Sequence, residues 1–153
     1  MNGITPSQTV GPYLHIALGA VAMRDGDVRI HGRVLDGSGE PVPDALIEIS
    51  APGGLFGRSD TRDGGFELVA VRPEPLDGQA PHFGVSVFAR GLLKRVVTRM
   101  YFPDEVNANA ADPVLSGVDE GRRATLVAVP EGDGSLRFDV HLQGPDETVF
   151  FAL

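Results

Sequence analysis

From residue 28 onward, apolar and polar positions alternate. Val28, Ile30, Gly32 and Val34 fall on one side and Arg29, His31 and Arg33 on the other. That period of two predicts a half-buried strand over 28–35. Asp36-Gly37-Ser38-Gly39 closes it as a turn. Pro41-Val42-Pro43 runs extended, with φ fixed by the proline rings. Alternation resumes over 45–50, where Ala45, Ile47 and Ile49 share a face. Residues 51–57 read as a glycine-rich loop, Asp63-Gly64-Gly65 as a turn into a strand over 66–71, and 72–81 as a proline-rich connection. The strongest pair of strands is 83–89 with 93–102, dense in valine and phenylalanine, with Arg90-Gly91 as a tight hairpin between them. Residues 106–112 hold a single helical turn. Strands over 124–129 and 136–142 are joined through Gly132-Asp133-Gly134, and 148–153 form a last apolar strand or tail. The pattern contains neither a long amphipathic helix nor an internal repeat. It predicts an all-β fold, an antiparallel β-sandwich over 24–153.

Residues 1–23 differ. Thr5-Pro6-Ser7-Gln8-Thr9-Val10-Gly11-Pro12-Tyr13 has two prolines and no lasting period, so it reads as an extended arm, either floppy or docked on a neighbour. A chain of 153 residues is the size of one domain. With 21 acidic against 13 basic residues, its net charge of -8 repels nucleic acid and anionic membranes on average, though a local basic pocket remains possible. Cysteine is absent, which excludes disulfides and thiolate metal sites. The apolar stretch 13–23 is short and carries His15, unlike a signal peptide or a membrane span, so a cytoplasmic location is expected.

Several segments, in one order, resemble the intradiol ring-cleavage dioxygenases, and among them the α subunits of the enzymes that open protocatechuate. They are the arm 5–13, Gly32-Arg33-Val34 through Pro43-Asp44-Ala45, Ala80-Pro81-His82, Phe88-Ala89-Arg90-Gly91-Leu92-Leu93, Thr98 through Glu105, Leu142-Gln143-Gly144 and Glu147 through Phe151. The resemblance implies a prealbumin-like sandwich and a β-subunit partner that holds a non-haem Fe(3+). It also implies O2-dependent ring opening to 3-carboxy-cis,cis-muconate. Catalytic chains of that family hold iron with two tyrosines and two histidines. The first tyrosine belongs after Ser50, where Ala51-Pro52-Gly53-Gly54-Leu55-Phe56-Gly57 stands and looks shortened. The second belongs near Arg72-Pro73-Glu74-Pro75, and the His-x-His strand is matched by His82-Phe83-Gly84. Three of the four ligands are therefore missing, and no catalytic or metal-binding residue is expected in this chain. Elementary coordination chemistry agrees. A ferric catecholate site needs hard anionic and imidazole donors at one point, and this chain has two tyrosines, Tyr13 and Tyr101, and no histidine pair at ligand spacing.

Arg90 is the foremost candidate residue. It is either a solvated turn arginine or, as the resemblance implies, part of the wall of a substrate pocket shared with the β subunit, where a planar guanidinium suits a carboxylate. The resemblance also implies that Thr9, Gly11, Pro12 and Tyr13 lie near the bound ring, with Gly11 allowing close approach. His82 is expected in the core or at an interface. Arg99 is expected on the surface, free to pair with Asp104 and Glu105. A rival reading is a binding or structural sandwich without chemistry, of the prealbumin-like or carboxypeptidase-regulatory-like kind.

Overall fold

A computed structural model describes residues 18–23 and 26–152. The strands are β1 (Val28–Gly32), β2 (Val34–Leu35), β3 (Leu46–Ala51), β4 (Leu55–Asp60), β5 (Phe66–Ala70), β6 (His82–Phe88), β7 (Val96–Tyr101), β8 (Val129–Pro130), β9 (Leu136–Arg137) and β10 (Val140–His141). Three short helices, α1 (Val106–Ala111), α2 (Pro113–Ser116) and α3 (Glu120–Arg123), follow β7, and one-turn 3-10 segments occupy Pro52–Gly54 and Ala124–Leu126.

Two four-stranded sheets form the layers, one in the order β5-β1-β9-β8 and the other β4-β3-β6-β7, with β10-β2 as a two-stranded extension. The alternation read from sequence decides which faces meet. Ile30, Val34, Phe66, Leu68 and Ala70 from one layer pack with Ile47, Ile49, Phe83, Val85, Val87 and Met100 from the other in one buried cluster. Most pairings are antiparallel, as expected, but β1 with β9 and β2 with β10 are parallel. The predicted strand over 28–35 breaks at Arg33, whose N–H donates to the Asp139 carboxylate at 2.9 Å instead of continuing the ladder.

A second, smaller cluster lies on the far side of β7. Ala80, Tyr101, Leu115 and Leu126 are its buried members, with Val127, Val149 and Phe151 packed against them. The helical segment therefore acts as a cap on one end of the β4-β3-β6-β7 sheet. No helix among the described residues is long and apolar enough to cross a membrane.

Three local differences from the predicted pattern bear on function. The segment after Ser50 is a strand-turn-strand, because β3 pairs with β4 around Pro52–Gly54, where Gly53 and Gly54 supply the positive φ that a compact turn needs. The link between β6 and β7 is a loop over 89–95, wider than a two-residue hairpin. Within it the Leu92 N–H donates to the Ala89 carbonyl at 3.2 Å and Gly91 takes φ 90°. The tail at 148–152 is not a strand, although the Phe151 N–H donates to the Val97 carbonyl at 2.8 Å and ties it beside β7.

Candidate functional site

Along β6, Phe83, Val85 and Val87 point into the core, and His82, Gly84 and Ser86 take the opposite, half-exposed face. Register places Tyr101 beside His82, and both Arg99 and Ser50 beside Gly84. The outer face of the sheet thus gathers His82, Gly84 and Ser50, three of the places where the sequence resemblance locates an iron site.

Tyr101 is fully buried, 0% exposed. Its hydroxyl donates to Asp112 Oδ1 at 3.2 Å and accepts from Arg99 Nη1 at 3.2 Å. Asp112, also fully buried, accepts at Oδ1 from the Val114 and Leu115 N–H groups and at Oδ2 from the Ala80 N–H, all at 2.8 Å. It is the N-cap of α2, followed by proline at the first helical position. Burial raises the Asp112 carboxyl, but the N–H groups of Leu115, Ala80 and Val114 with the Tyr101 hydroxyl outweigh it and hold the group below the ordinary carboxylate value. Burial pushes the Tyr101 phenol up, against the pull of Arg99.

Gln79 enters this network from the proline-rich connection. A turn at Asp77-Gly78, both with positive φ (53° and 74°), is closed by the Gln79 N–H donating to the Leu76 carbonyl at 2.9 Å, and the Gln79 side-chain oxygen Oε1 accepts from Arg99 Nη1 at 2.7 Å. His82 Nδ1 lies 2.8 Å from the Ala80 carbonyl. A carbonyl only accepts, so Nδ1 carries the hydrogen and Nε2 the lone pair. Burial pushes this imidazole below its ordinary value, the Ala80 bond opposes the shift, and the nearby Arg99 cation adds to it.

This donor set does not fit ferric iron. The one imidazole faces a glycine where a second would stand. The one tyrosine is buried, protonated and engaged on both sides, and a fixed guanidinium lies beside it. Near the proline-rich connection, Arg72 lies over the Phe102 ring at 4.3 Å and pairs with Asp104 at 2.9 Å and Glu105 at 3.2 Å. Asp104 and Glu105 therefore serve Arg72 and not Arg99. Among the described residues no group of three or more His, Asp or Glu could hold a metal.

Arg90 stands apart from this face, in the 89–95 loop. Its side chain is 66% exposed and its Nε lies 3.2 Å from Asp44 Oδ2. Asp44 is mostly buried, and its Oδ1 has no hydrogen-bond partner among the described residues. The buried carboxylate holds the base of the guanidinium while most of the side chain stays in solvent. Thr9, Gly11, Pro12 and Tyr13 lie outside the described residues. Nearer the sandwich, Val21 bridges to Arg58 of β4, and the Met23 N–H donates to the Val69 carbonyl of β5 at 3.2 Å, so residues 21–23 lie against the neighbouring edges of the two sheets.

Two depressions, of about 730 and 710 Å³, adjoin each other on the outer side of β1 and β5 and share His31, Asp63, Gly65 and Phe66. Their charged walls largely pair among themselves, Arg29 with Asp133 at 2.8 Å and Arg137 with Asp139 at 2.6 Å. Neither contains Arg90 or His82. The residue that sequence reading missed is Asp112. The Asp-Pro pair at 112–113 signals a helix start, but nothing local shows that its carboxylate closes a network reaching β7.

No family model matches the chain. It is 39% identical over 189 positions to the protocatechuate 3,4-dioxygenase alpha chain of Burkholderia cepacia, spanning 96% of each chain. It is 26% identical to the beta chain from the same organism, spanning 93% of this chain and 77% of that one. The aligned span of 189 positions exceeds the 153 residues of this chain, so the chain lacks stretches that the relative carries. Among solved structures it superposes on an intradiol ring-cleavage dioxygenase from Tetranychus urticae with a TM-score of 0.60 at 14% identity, covering 97% of this chain and 98% of that one.

Proposed function

The chain belongs to the family of protocatechuate 3,4-dioxygenase α chains, and from that premise we propose that it is the non-metal-binding subunit of an αβ assembly, inactive alone, that shapes a substrate pocket at the subunit boundary. The β partner holds the Fe(3+) and carries out O2-dependent opening of protocatechuate to 3-carboxy-cis,cis-muconate. The observation that carries this reading is the outer face of β6 and β7. Where a catalytic chain would gather iron ligands, this one offers a single neutral imidazole, a glycine and an arginine. Iron-dependent chemistry then has to be housed in another chain.

This chain contributes through its projecting parts. Residues 24–153 act as one domain and residues 1–23 as an arm toward the partner. Arg90 lines the pocket and meets the substrate carboxylate, and Thr9, Gly11, Pro12 and Tyr13 form the wall nearest the ring. The exposure of Arg90 and its anchoring by Asp44 support this role, because a pocket residue supplied to a neighbour must project from its own fold and be held at its base. The bound anion needs such a local cation, since the chain as a whole carries a charge of -8.

Arg90→Ala tests the reading in the co-expressed assembly. Loss of a charge-assisted hydrogen bond to the carboxylate lowers kcat/KM for protocatechuate by about 10–100-fold. Arg90 is exposed, so assembly and iron content stay as in the wild type. Arg90→Lys recovers part of the loss through charge without the planar fork. Unchanged kinetics in Arg90→Ala return this residue to the solvated surface.

A further inference from the structure

We propose that Lys94 and Arg95 form a cationic collar that draws anionic catechols toward the shared pocket, so that this subunit favours carboxylated rings over neutral ones before either reaches the iron. The collar rests on the proposed function, which brings the Arg90 loop to the partner's pocket. What it adds is a role at long range for the rest of that loop.

Charge is spread unevenly along the chain. From Gly78 to Pro103 the sequence holds Arg90, Lys94, Arg95 and Arg99 and no acidic residue, although 21 of the 153 residues are acidic. Three of these four cations fall between positions 90 and 95. On a chain of net charge -8, the loop between β6 and β7 is therefore a local reversal of sign. The whole molecule repels an anion on average, and a local cluster of cations decides where the anion arrives.

The loop keeps these charges outside. Leu92 packs against the core, and its N–H donates to the Ala89 carbonyl at 3.2 Å. Beyond that anchor Leu93, Lys94 and Arg95 are exposed. Asp44 pairs with Arg90 and with no other basic group among the described residues. The side chains of Lys94 and Arg95 have neither an ion pair nor a hydrogen bond among the described residues. Other arginines without an ion pair are occupied differently. Arg123 donates to the Val118 and Ser116 carbonyls at 2.9 Å, and Arg99 donates to Gln79 and the Tyr101 hydroxyl. Arg33 stands in a depression walled in part by Asp63 and Asp139. Among these five unpaired cations, only Lys94 and Arg95 are free in solvent on the loop that carries Arg90.

Their reach sets how they act. Four or five residues of extended chain span at most roughly 14–18 Å, so both charges stay within that distance of the Arg90 backbone. The Debye length is about 30 Å at 0.01 M salt and about 3 Å at 1 M. At low salt an approaching anion is attracted by all three cations, and at high salt only by the one it touches. Arg90 is the contact group, while Lys94 and Arg95 act through solvent. Protocatechuate carries a carboxylate and responds to this field. Catechol has none and is indifferent to it. Attraction at a distance raises kcat/KM and leaves kcat alone.

Steady-state kinetics of the co-expressed assembly on protocatechuate, between about 10 mM and 1 M NaCl, test the proposal, with catechol as competitive inhibitor. In the wild type kcat/KM falls by about 10-fold across this range and the catechol Ki stays constant. Lys94→Gln with Arg95→Gln lowers kcat/KM by about 3–10-fold at low salt, with kcat and the catechol Ki unchanged, and matches the wild type at high salt. Lys94→Glu with Arg95→Glu deepens the low-salt loss and inverts the salt dependence. No loss at low salt, a loss that persists at high salt, or an equal loss for catechol overturns the proposal. So does a Gln pair that no longer co-purifies with the partner, because the loop is then a docking element. A wild-type preparation without a partner, or without ring opening, refutes the functional reading, and the collar falls with it. An active wild type whose kinetics neither double variant alters refutes the collar alone.

Discussion

Gly32→Ala yields no soluble folded protein at 25 °C. An added Cβ would lie 2.7 Å from the carbonyl carbon of Phe138 and closer still to its oxygen, with Phe66 Cζ at 3.0 Å. This is where the chain of β1 passes into β2 alongside β9 and β10, in the parallel joint between them. The Phe138 N–H donates to the His31 carbonyl and the Val140 N–H to the Arg33 carbonyl, both at 2.8 Å, so the two backbones are drawn together on either side of Gly32. Neither can retreat without breaking these bonds. The expected cost exceeds about 4 kcal/mol, a large part of the stability of a domain this size. Circular dichroism and the soluble fraction after expression check it. Gly84→Ala is the control, because its Cβ meets only ordinary contacts, and it folds with a Tm near that of the wild type.

Asp112→Ala is the second large effect. The substitution strips the acceptor from the N–H groups of Ala80, Val114 and Leu115 and from the Tyr101 hydroxyl. Donors left unpaired in the interior cost the full desolvation penalty, and the α2 cap is lost as well, so destabilisation is about 3–5 kcal/mol. At roughly 2–4 °C per kcal/mol for a domain of this size, Tm falls by about 10 °C. Asn at this position keeps one oxygen and loses less. The pH dependence has a definite sign. The folded carboxyl titrates below its unfolded value of 3.8, so its contribution is fully present above that value and is lost as pH falls through the lower folded one. Acid unfolding of the wild type therefore starts below about pH 4 from this group, and Asp112→Ala lacks that component. A Tm within 2 °C of the wild type, or so, would mean that the network is not holding the helical cap.

The parts of the fold legible in sequence are those where one face is buried and the other wet. Residues 28–35, 45–50 and 83–89 announce their core side because a period of two is a direct record of burial. β4 leaves no such record. Of its inward positions Leu55, Gly57 and Ser59, two are small residues without strand signal, and its Phe56 faces out, so the segment reads as a loop. The 89–95 loop misleads in the opposite sense. Leu92 and Leu93 look like the start of a strand, yet Leu93 is 68% exposed and only Leu92 packs on the core. That glycine follows His82-Phe83 is legible because it is a specific residue at a specific place. The network beside it is not, since it joins Gln79, Arg99, Tyr101 and Asp112 across three elements and depends on register, which no local pattern fixes.

The account's central claim is that this chain holds no iron and works through a partner that does. Iron analysis of the co-expressed assembly, with and without His82→Ala in this chain, tests it most directly. The predicted result is one iron per αβ pair, with the tyrosinate-to-iron absorption unchanged by His82→Ala, because the imidazole is tied to the Ala80 carbonyl and faces a glycine. Stoichiometric iron in this chain purified alone, or loss of the assembly's iron and colour in His82→Ala, would contradict it.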